Sequence, residues 1–192
     1  MQEIMLFPLS SIVLPEGKMK LRIFEPRYKR LVSDAMKGDG TFGICLLERG
    51  KQSDAVQLSH TGSLVRIVDF DQLDDGLLGI TVCGLHRFTI ERVRTEFDGL
   101  RMAKVRTLPN WQVAEMSPAD VHLGEHLLQV YHDYPQVGEL YQQRFMDDAS
   151  WVTQRWLELL PLTLSRFDSL NQQQTCEAAL AFINQMVPSP QP

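Results

Sequence analysis

The amino-acid sequence predicts an α+β protein in which a β-rich half precedes a helical half. Three observations predict it. Apolar and polar residues alternate with period two at several places in the first 110 or so of the 192 residues. After Pro109-Asn110-Trp111 the apolar positions shift to helical spacing. The charge changes at the same place: residues 1–110 carry 16 Lys/Arg against 14 Asp/Glu, while residues 111–192 carry 3 against 10. An apolar content of 44% supplies an ordinary core for one large domain or two small packed ones.

Residues 1–17 contain an apolar stretch, but Pro8, Pro15 and Glu16 interrupt it and no basic start precedes it, so no export signal is expected. No run approaches the roughly 20 apolar residues that a membrane span needs. A soluble, cytoplasmic chain with no membrane partner is expected. In Lys18–Phe24, Met19, Leu21 and Ile23 alternate with Lys18, Lys20 and Arg22, which reads as a strand buried on one face with its bases on the other. Pro26 suits the first position of a helix carrying Tyr28, Leu31, Val32, Ala35 and Met36 on one side, with Gly38 as its stop and Arg27, Lys29, Arg30 and Lys37 mostly towards solvent. Phe42–Leu46, Leu64–Phe70, Leu78–Val82, Phe88–Val93 and Leu100–Leu108 read as further strands. Asp75-Gly76 and Asp98-Gly99 signal hairpin turns, because glycine tolerates the positive φ that such turns need.

In the second half, Ser117-Pro118 is a plausible start for a helix to about Tyr134, with Leu123, Leu127, Val130 and Tyr131 on its apolar side and Pro135 ending it. A helix is expected over about Val137–Phe145. A third starts at Asp147, Asp148 or Ser150, carries Trp151, Trp156, Leu157 and Leu160, and stops before Pro161. A last helix is expected from about Asn171 to Val187, with Ala178, Ala179, Ala181, Phe182 and Met186 available for packing. The tail Pro188–Pro192 cannot continue it. The expected division is a β-rich unit at 1–112, a helical bundle at 113–187 packed against it, and a frayed tail at 188–192.

Several blocks of the first half carry a family resemblance: Leu6-Phe7-Pro8-Leu9, Val13-Leu14-Pro15-Glu16-Gly17 and Leu21-Arg22-Ile23-Phe24-Glu25-Pro26-Arg27-Tyr28, then Thr61-Gly62 and Val82–Ile90 with its Gly84 and Arg87-Phe88. In order and over roughly 110 residues, they resemble the Lon substrate-binding domain family, shared by bacterial Lon proteases, cereblon and small stand-alone proteins. The Phe-Glu-Pro-Arg-Tyr block is most similar to the stand-alone members. The resemblance implies a PUA-like β-barrel followed by a C-terminal helical bundle, and a recognition role towards other proteins. The ATPase and peptidase units of Lon are not expected here: no G-x-x-x-x-G-K-[ST] loop is present, so no ATP binding is expected, and the chain ends before a Ser-Lys peptidase domain.

The residues offer few candidates for chemistry. His122-Leu123-Gly124-Glu125-His126 matches the H-x-x-E-H zinc-hydrolase pattern, in which two histidines one turn apart grip zinc and the glutamate activates water. The apolar stripe of that helix, however, places His122 and His126 with Gln129 and Asp133 on the solvated side, where a hydrolytic site lacks its water-excluding cleft. Cys45, Cys83 and Cys176 are odd in number, far apart and set in apolar runs, which suits reduced thiols rather than a disulfide or a metal site. The bases Lys18, Lys20, Arg22, Arg27, Lys29 and Arg30 raise an RNA-binding alternative, weakened by the overall net charge of −5 and the lack of interleaved aromatics. The expectation is therefore a non-catalytic module with no catalytic residue, metal or cofactor. It binds unfolded or flexible protein segments, with a separate protease as a further partner. Arg27 in the strand-to-helix block and Leu85, His86 and Arg87 near a strand boundary are its candidate contacts. A groove between the two halves is the expected place for a client.

Overall fold

Long alternating segments with glycine turns produce strands that pair mainly with their chain neighbours, and here the pairing closes on itself. In the computed structural model, which describes residues 1–49 and 56–187, the strands are β1 (Gln2–Leu9), β2 (Lys18–Ile23), β3 (Thr41–Arg49), β4 (Val56–Gln72), β5 (Leu78–Thr95) and β6 (Arg101–Thr107). β1 runs parallel to β3 and antiparallel to β6, and the other pairs, β3–β4, β4–β5, β5–β6 and β2–β5, are antiparallel. Five strands thus form a closed ring, while β2 hangs on the first part of β5 and, among the described residues, has no strand on its other side. β5 is long enough to pair with three neighbours, β2 along its first part, β6 along its last, and β4 beside both. Register shifts at Leu64/Val65 and Ile67/Asp69 let β4 and β5 bend into the barrel.

The two expected hairpin turns are present, with Gly76 at φ 79° and Gly99 at φ 85°. The separate strands expected at Leu78–Val82 and Phe88–Val93 are one continuous β5. β1 lay unread in the sequence because Pro8 interrupts its alternation; the strand tolerates that proline beside its parallel partner Cys45, beyond the end of its pairing with β6. Helix α1 (Pro26–Ala35) starts at the expected proline and buries Tyr28, Leu31, Val32 and Ala35. Its turn is reversed at Gly40 (φ 77°), whose N–H donates to the Ala35 carbonyl, rather than at Gly38.

The helical half comprises α2 (Val121–Asp133), α3 (Pro135–Gly138), α4 (Ala149–Leu159), α5 (Leu164–Asn171) and α6 (Glu177–Met186). Asp148 caps α4 by accepting from the Ser150 N–H. Three expectations need correcting. Ser117-Pro118 forms a turn ahead of α2 and does not begin the helix. The helix expected over 137–145 is a single turn, because Tyr141 is drawn out of helical register into the core. There it stacks on Tyr131 with centroids 5.4 Å apart, and its hydroxyl accepts the Lys18 N–H at 3.0 Å. The final helix expected from Asn171 begins only at Glu177, and a helix the sequence did not announce, α5, ends at Asn171, whose carbonyl and that of Gln173 are turned towards the barrel by Arg87 and Trp111. Within α6 the buried positions are Ala179 and Ile183, while Ala178, Ala181 and Met186 face outwards. The expected tail at 188–192 lies outside the described residues.

One large core runs from Phe7, Leu14 and Ile44 of the β-rich half to Trp151, Leu157 and Ile183 of the helical half. A smaller one, with Leu6, Cys45, Phe88 and Val105, fills the closed end of the barrel. Asp168 of α5 joins the two halves by accepting from the His60 and Thr61 N–H groups and the Thr61 hydroxyl at 2.8–2.9 Å.

Candidate functional site

The junction between the halves is built around the β1–β2 crossover. Arg155 and Glu158, one turn apart on α4, form a buried ion pair with Nε–Oε2 at 2.8 Å. Arg155 also donates to the Pro15 carbonyl at 2.9 Å, and Glu158 accepts the Leu14 N–H at 2.6 Å. This holds the crossover in a shape that puts Glu16 at φ 64° and sets the direction in which β2 leaves it. Burial pushes the Glu158 carboxyl up to about 7, against the opposing pull of Arg155 and of the Leu14 N–H.

Three cavities follow one another along β2. The first, about 500 Å³, lies between β5 and the α3–α4 loop and is lined by Lys18, Leu85, His86, Asn110, Phe145 and Trp151 among others. Its floor is aromatic, with Phe145 set edge-on to Trp151 at 6.0 Å, and its rim carries Glu16, Gln142 and Gln143. The second, about 360 Å³, shares Lys18 and Tyr141 with the first and continues past Met19 to Val137 and Leu140. The third, about 520 Å³, shares Lys20 with the second and reaches Phe7, Leu21, Phe24, Arg27 and Tyr28.

Leu85 and His86 therefore lie together in the first cavity and Arg27 at the far end of the third. Arg27 pairs with Glu25 at 2.6 Å, donates to the Gly99 carbonyl at 3.3 Å and lies over the Tyr28 ring. Arg87 is only 1% exposed. Its guanidinium donates to the carbonyls of Asn171, Gln173 and Pro109 and stacks on Trp111, so it ties β5 to the start of the helical half and points away from the groove. Sequence reading did not single out Phe145, Trp151 or Tyr141 as groove residues; the helix expected through 137–145 hid them.

The histidine pair of α2 needs a correction. His122 is 8% exposed, not solvated, because the end of α6 covers that side: its ring nitrogens face the carbonyls of Ala119 at 3.0 Å and Val187 at 3.2 Å. His126 is half-buried with its ring edge-on to His122, so of the four polar residues expected on the solvated side Gln129 and Asp133 alone are exposed. Among the described residues no group of three or more His, Cys, Asp or Glu is placed to hold a metal ion. In the groove, burial raises the Cys83 thiol, the opposite of what an activated nucleophile needs. The arrangement offers apolar surface, hydrogen-bonding rims and a strand edge, which together can hold a chain.

The sequence model of the ATP-dependent protease La (LON) substrate-binding domain matches residues 3–184. The chain belongs to the LON substrate-binding domain family. Its structure is similar to that of a Lon N-terminal domain protein from Xanthomonas campestris, at 31% identity and a TM-score of 0.73, over 98% of this chain and 100% of that one. The N-terminal domain of Mycobacterium avium complex Lon protease shares the fold at 13% identity and a TM-score of 0.63, with 99% and 100% covered. Cereblon from Gallus gallus is 27% identical over 101 residues, 51% of this chain and 22% of that protein. Cereblon from Danio rerio is 27% identical over 104 residues, 53% of this chain and 24% of that protein. This LON-family chain thus spans about a quarter or less of the length of either cereblon. Among the described residues no helix is long and apolar enough to cross a membrane.

Proposed function

We propose that this LON-family chain is a non-catalytic client-recognition module that binds unfolded or flexible protein segments in the groove beside β2, in the cytoplasm and alongside a separate protease. The observation that carries the reading is the first cavity, where exposed Phe145, set edge-on to buried Trp151, is ringed by hydrogen-bonding groups of both halves. Apolar floors with polar rims suit segments whose buried side chains have become exposed. Leu85 and His86 are contacts on one wall and Arg27 a contact at the far end. Arg87 supports that wall from behind. The same reading treats residues 1–112 and 113–187 as two subdomains sharing a core, with the groove at their seam.

The RNA-binding alternative draws on six bases of β2 and α1, but the three arginines among them already face carboxylates. Arg22 pairs with Asp75, Arg27 with Glu25, and Arg30 with Glu96 and Asp98. Lys18, Lys20 and Lys29 are left outside the ion pairs among the described residues, three charges where a phosphate-tracking surface draws on a longer basic run. Zinc hydrolysis is disfavoured by the carbonyls that face both ring nitrogens of His122.

Fluorescence anisotropy of labelled unfolded polypeptides, run beside labelled single-stranded RNA at matched salt, tests the reading. Saturable polypeptide binding is expected, weakened about fivefold or more by Phe145→Ser with helix content unchanged. Preference for RNA, or indifference to Phe145→Ser and His86→Ala alike, contradicts it.

A further inference from the structure

β2 is an edge strand, and its free edge is the line along which the three cavities join. Successive peptide groups of a strand point to opposite edges. Gly84 N–H donates to the Gly17 carbonyl and Lys18 N–H turns the other way, to the Tyr141 hydroxyl. By that alternation the peptide groups of Met19, Leu21 and Ile23 face β5, and those of Lys20 and Arg22 face outwards. Among the described residues these outward groups make no other hydrogen bond within the protein. Tyr141 closes one end of the edge; beyond it the edge lies open between the second and third cavities.

The side chains alternate at right angles to this. Leu21 and Ile23 are buried, and Met19 packs partly buried on the same core, so this face of any added strand meets the apolar walls of the flanking cavities: Val137 and Leu140 on one side, Phe7 and Tyr28 on the other. The opposite face presents Lys18 and Lys20, neither of which belongs to an ion pair among the described residues, and Arg22 paired with Asp75. Two copies of this edge would set bases against bases, which disfavours self-pairing.

We propose that the client segment binds as an added strand on the free edge of β2, with acidic side chains beside Lys18 and Lys20 and apolar side chains alternating into the two flanking cavities. This inference rests on the client-binding reading and specifies the client: an extended, β-prone segment of alternating acidic and apolar residues, held largely through its main chain. Recognition through the main chain would also let one site accept many sequences.

A labelled peptide of four Glu-Val repeats is the probe, with two further versions N-methylated at every second residue, one version for each set of amides. The expected result is saturable binding of the parent peptide, weakening by about tenfold or more for one methylated set and not for the other, and slowed exchange of the Lys20 and Arg22 amides on binding. Lys20→Pro, which removes an outward N–H without losing a ladder bond, is expected to weaken binding to a similar extent while leaving the melting curve cooperative. Binding of all three peptides with equal affinity would overturn the added strand while leaving side-chain recognition of clients intact. Failure of the Glu-Val peptide where unfolded polypeptides still bind would overturn the acidic, alternating specificity alone; failure of both would remove the client reading itself. Displacement of the peptide by single-stranded RNA, or slowed Lys20 and Arg22 exchange with rising protein concentration and doubled mass, would assign the edge to another occupant and overturn the proposal.

Discussion

A buried guanidinium needs partners for its charge, and Arg87 sets both terminal nitrogens on three backbone carbonyls and its plane over the Trp111 ring, while its buried Nε makes no hydrogen bond among the described residues. Burial lowers its pKa to about 10, which leaves it charged at neutral pH. Arg87→Ala is expected to lower the unfolding free energy by about 3 kcal/mol, measured by urea titration; a loss below about 1 kcal/mol would show those contacts to be dispensable. Glu158 makes a pH prediction of the opposite sign to that of most carboxylates. Because burial raises its pKa to about 7, it holds its proton more tightly folded than unfolded. Its contribution is complete below about pH 4.5 and is lost as the pH rises through about 7. Glu158→Gln cannot titrate, and its amide has one acceptor oxygen where the carboxyl takes Leu14 N–H and Arg155 on two. Its deficit against the parent is expected to shrink between pH 5 and 8 by on the order of 2 kcal/mol; a deficit that is flat or grows over that range would refute the assignment. Gly84 shows what sequence could and could not say about such positions. The motif stood out, but not its reason: a Cβ there would lie 2.0 Å from the Leu14 carbonyl oxygen, where β5 meets the crossover.

At the scale of elements, legibility followed how local the determining forces were. Strands β2 to β6 and helices α1 and α4 announce themselves because alternation, a proline at a helix start and an Asp148 cap act within a few residues. α5 stayed hidden because its boundary with α6 is set from a distance, by Arg87 and Trp111. The groove stayed hidden for the same reason, since Tyr141 and Phe145 leave helical register to meet Trp151 and β2. The burial of His122 likewise depends on the end of α6, 65 residues away. Docking of α5 onto β4 gives an element-scale prediction. Asp168 supplies the three hydrogen bonds that fix this contact, so Asp168→Ala leaves the buried Thr61 N–H and hydroxyl and the partly buried His60 N–H without this acceptor. A loss of about 2–4 kcal/mol is expected, together with faster exchange of the His60 and Thr61 amides. Unchanged exchange at both would show that α5 is held by packing alone.

At the scale of the molecule, the compositional break near residue 110 and the physical core disagree about where a unit ends. Charge and periodicity change there, yet one core includes Leu14, Ile44 and Val65 together with Leu127, Trp156 and Ile183. The buried Arg155–Glu158 pair belongs to α4 by sequence and to the β1–β2 crossover by contact. Neither half has a separate core large enough to release the other, because the barrel's private cluster holds only six buried side chains. The two halves are therefore expected to unfold together, although they differ in secondary structure and charge. All three tryptophans, Trp111, Trp151 and Trp156, lie at or beyond the seam and are buried, so fluorescence reports on the helical half while far-UV dichroism also carries the strands of the barrel. Coincident urea transitions by the two probes are expected, with a single slope. If fluorescence changed at lower urea than dichroism, the helical half would be peeling from an intact barrel. The groove beside β2 would then be a hinge whose width varies with conditions, rather than a preformed seat for an extended chain.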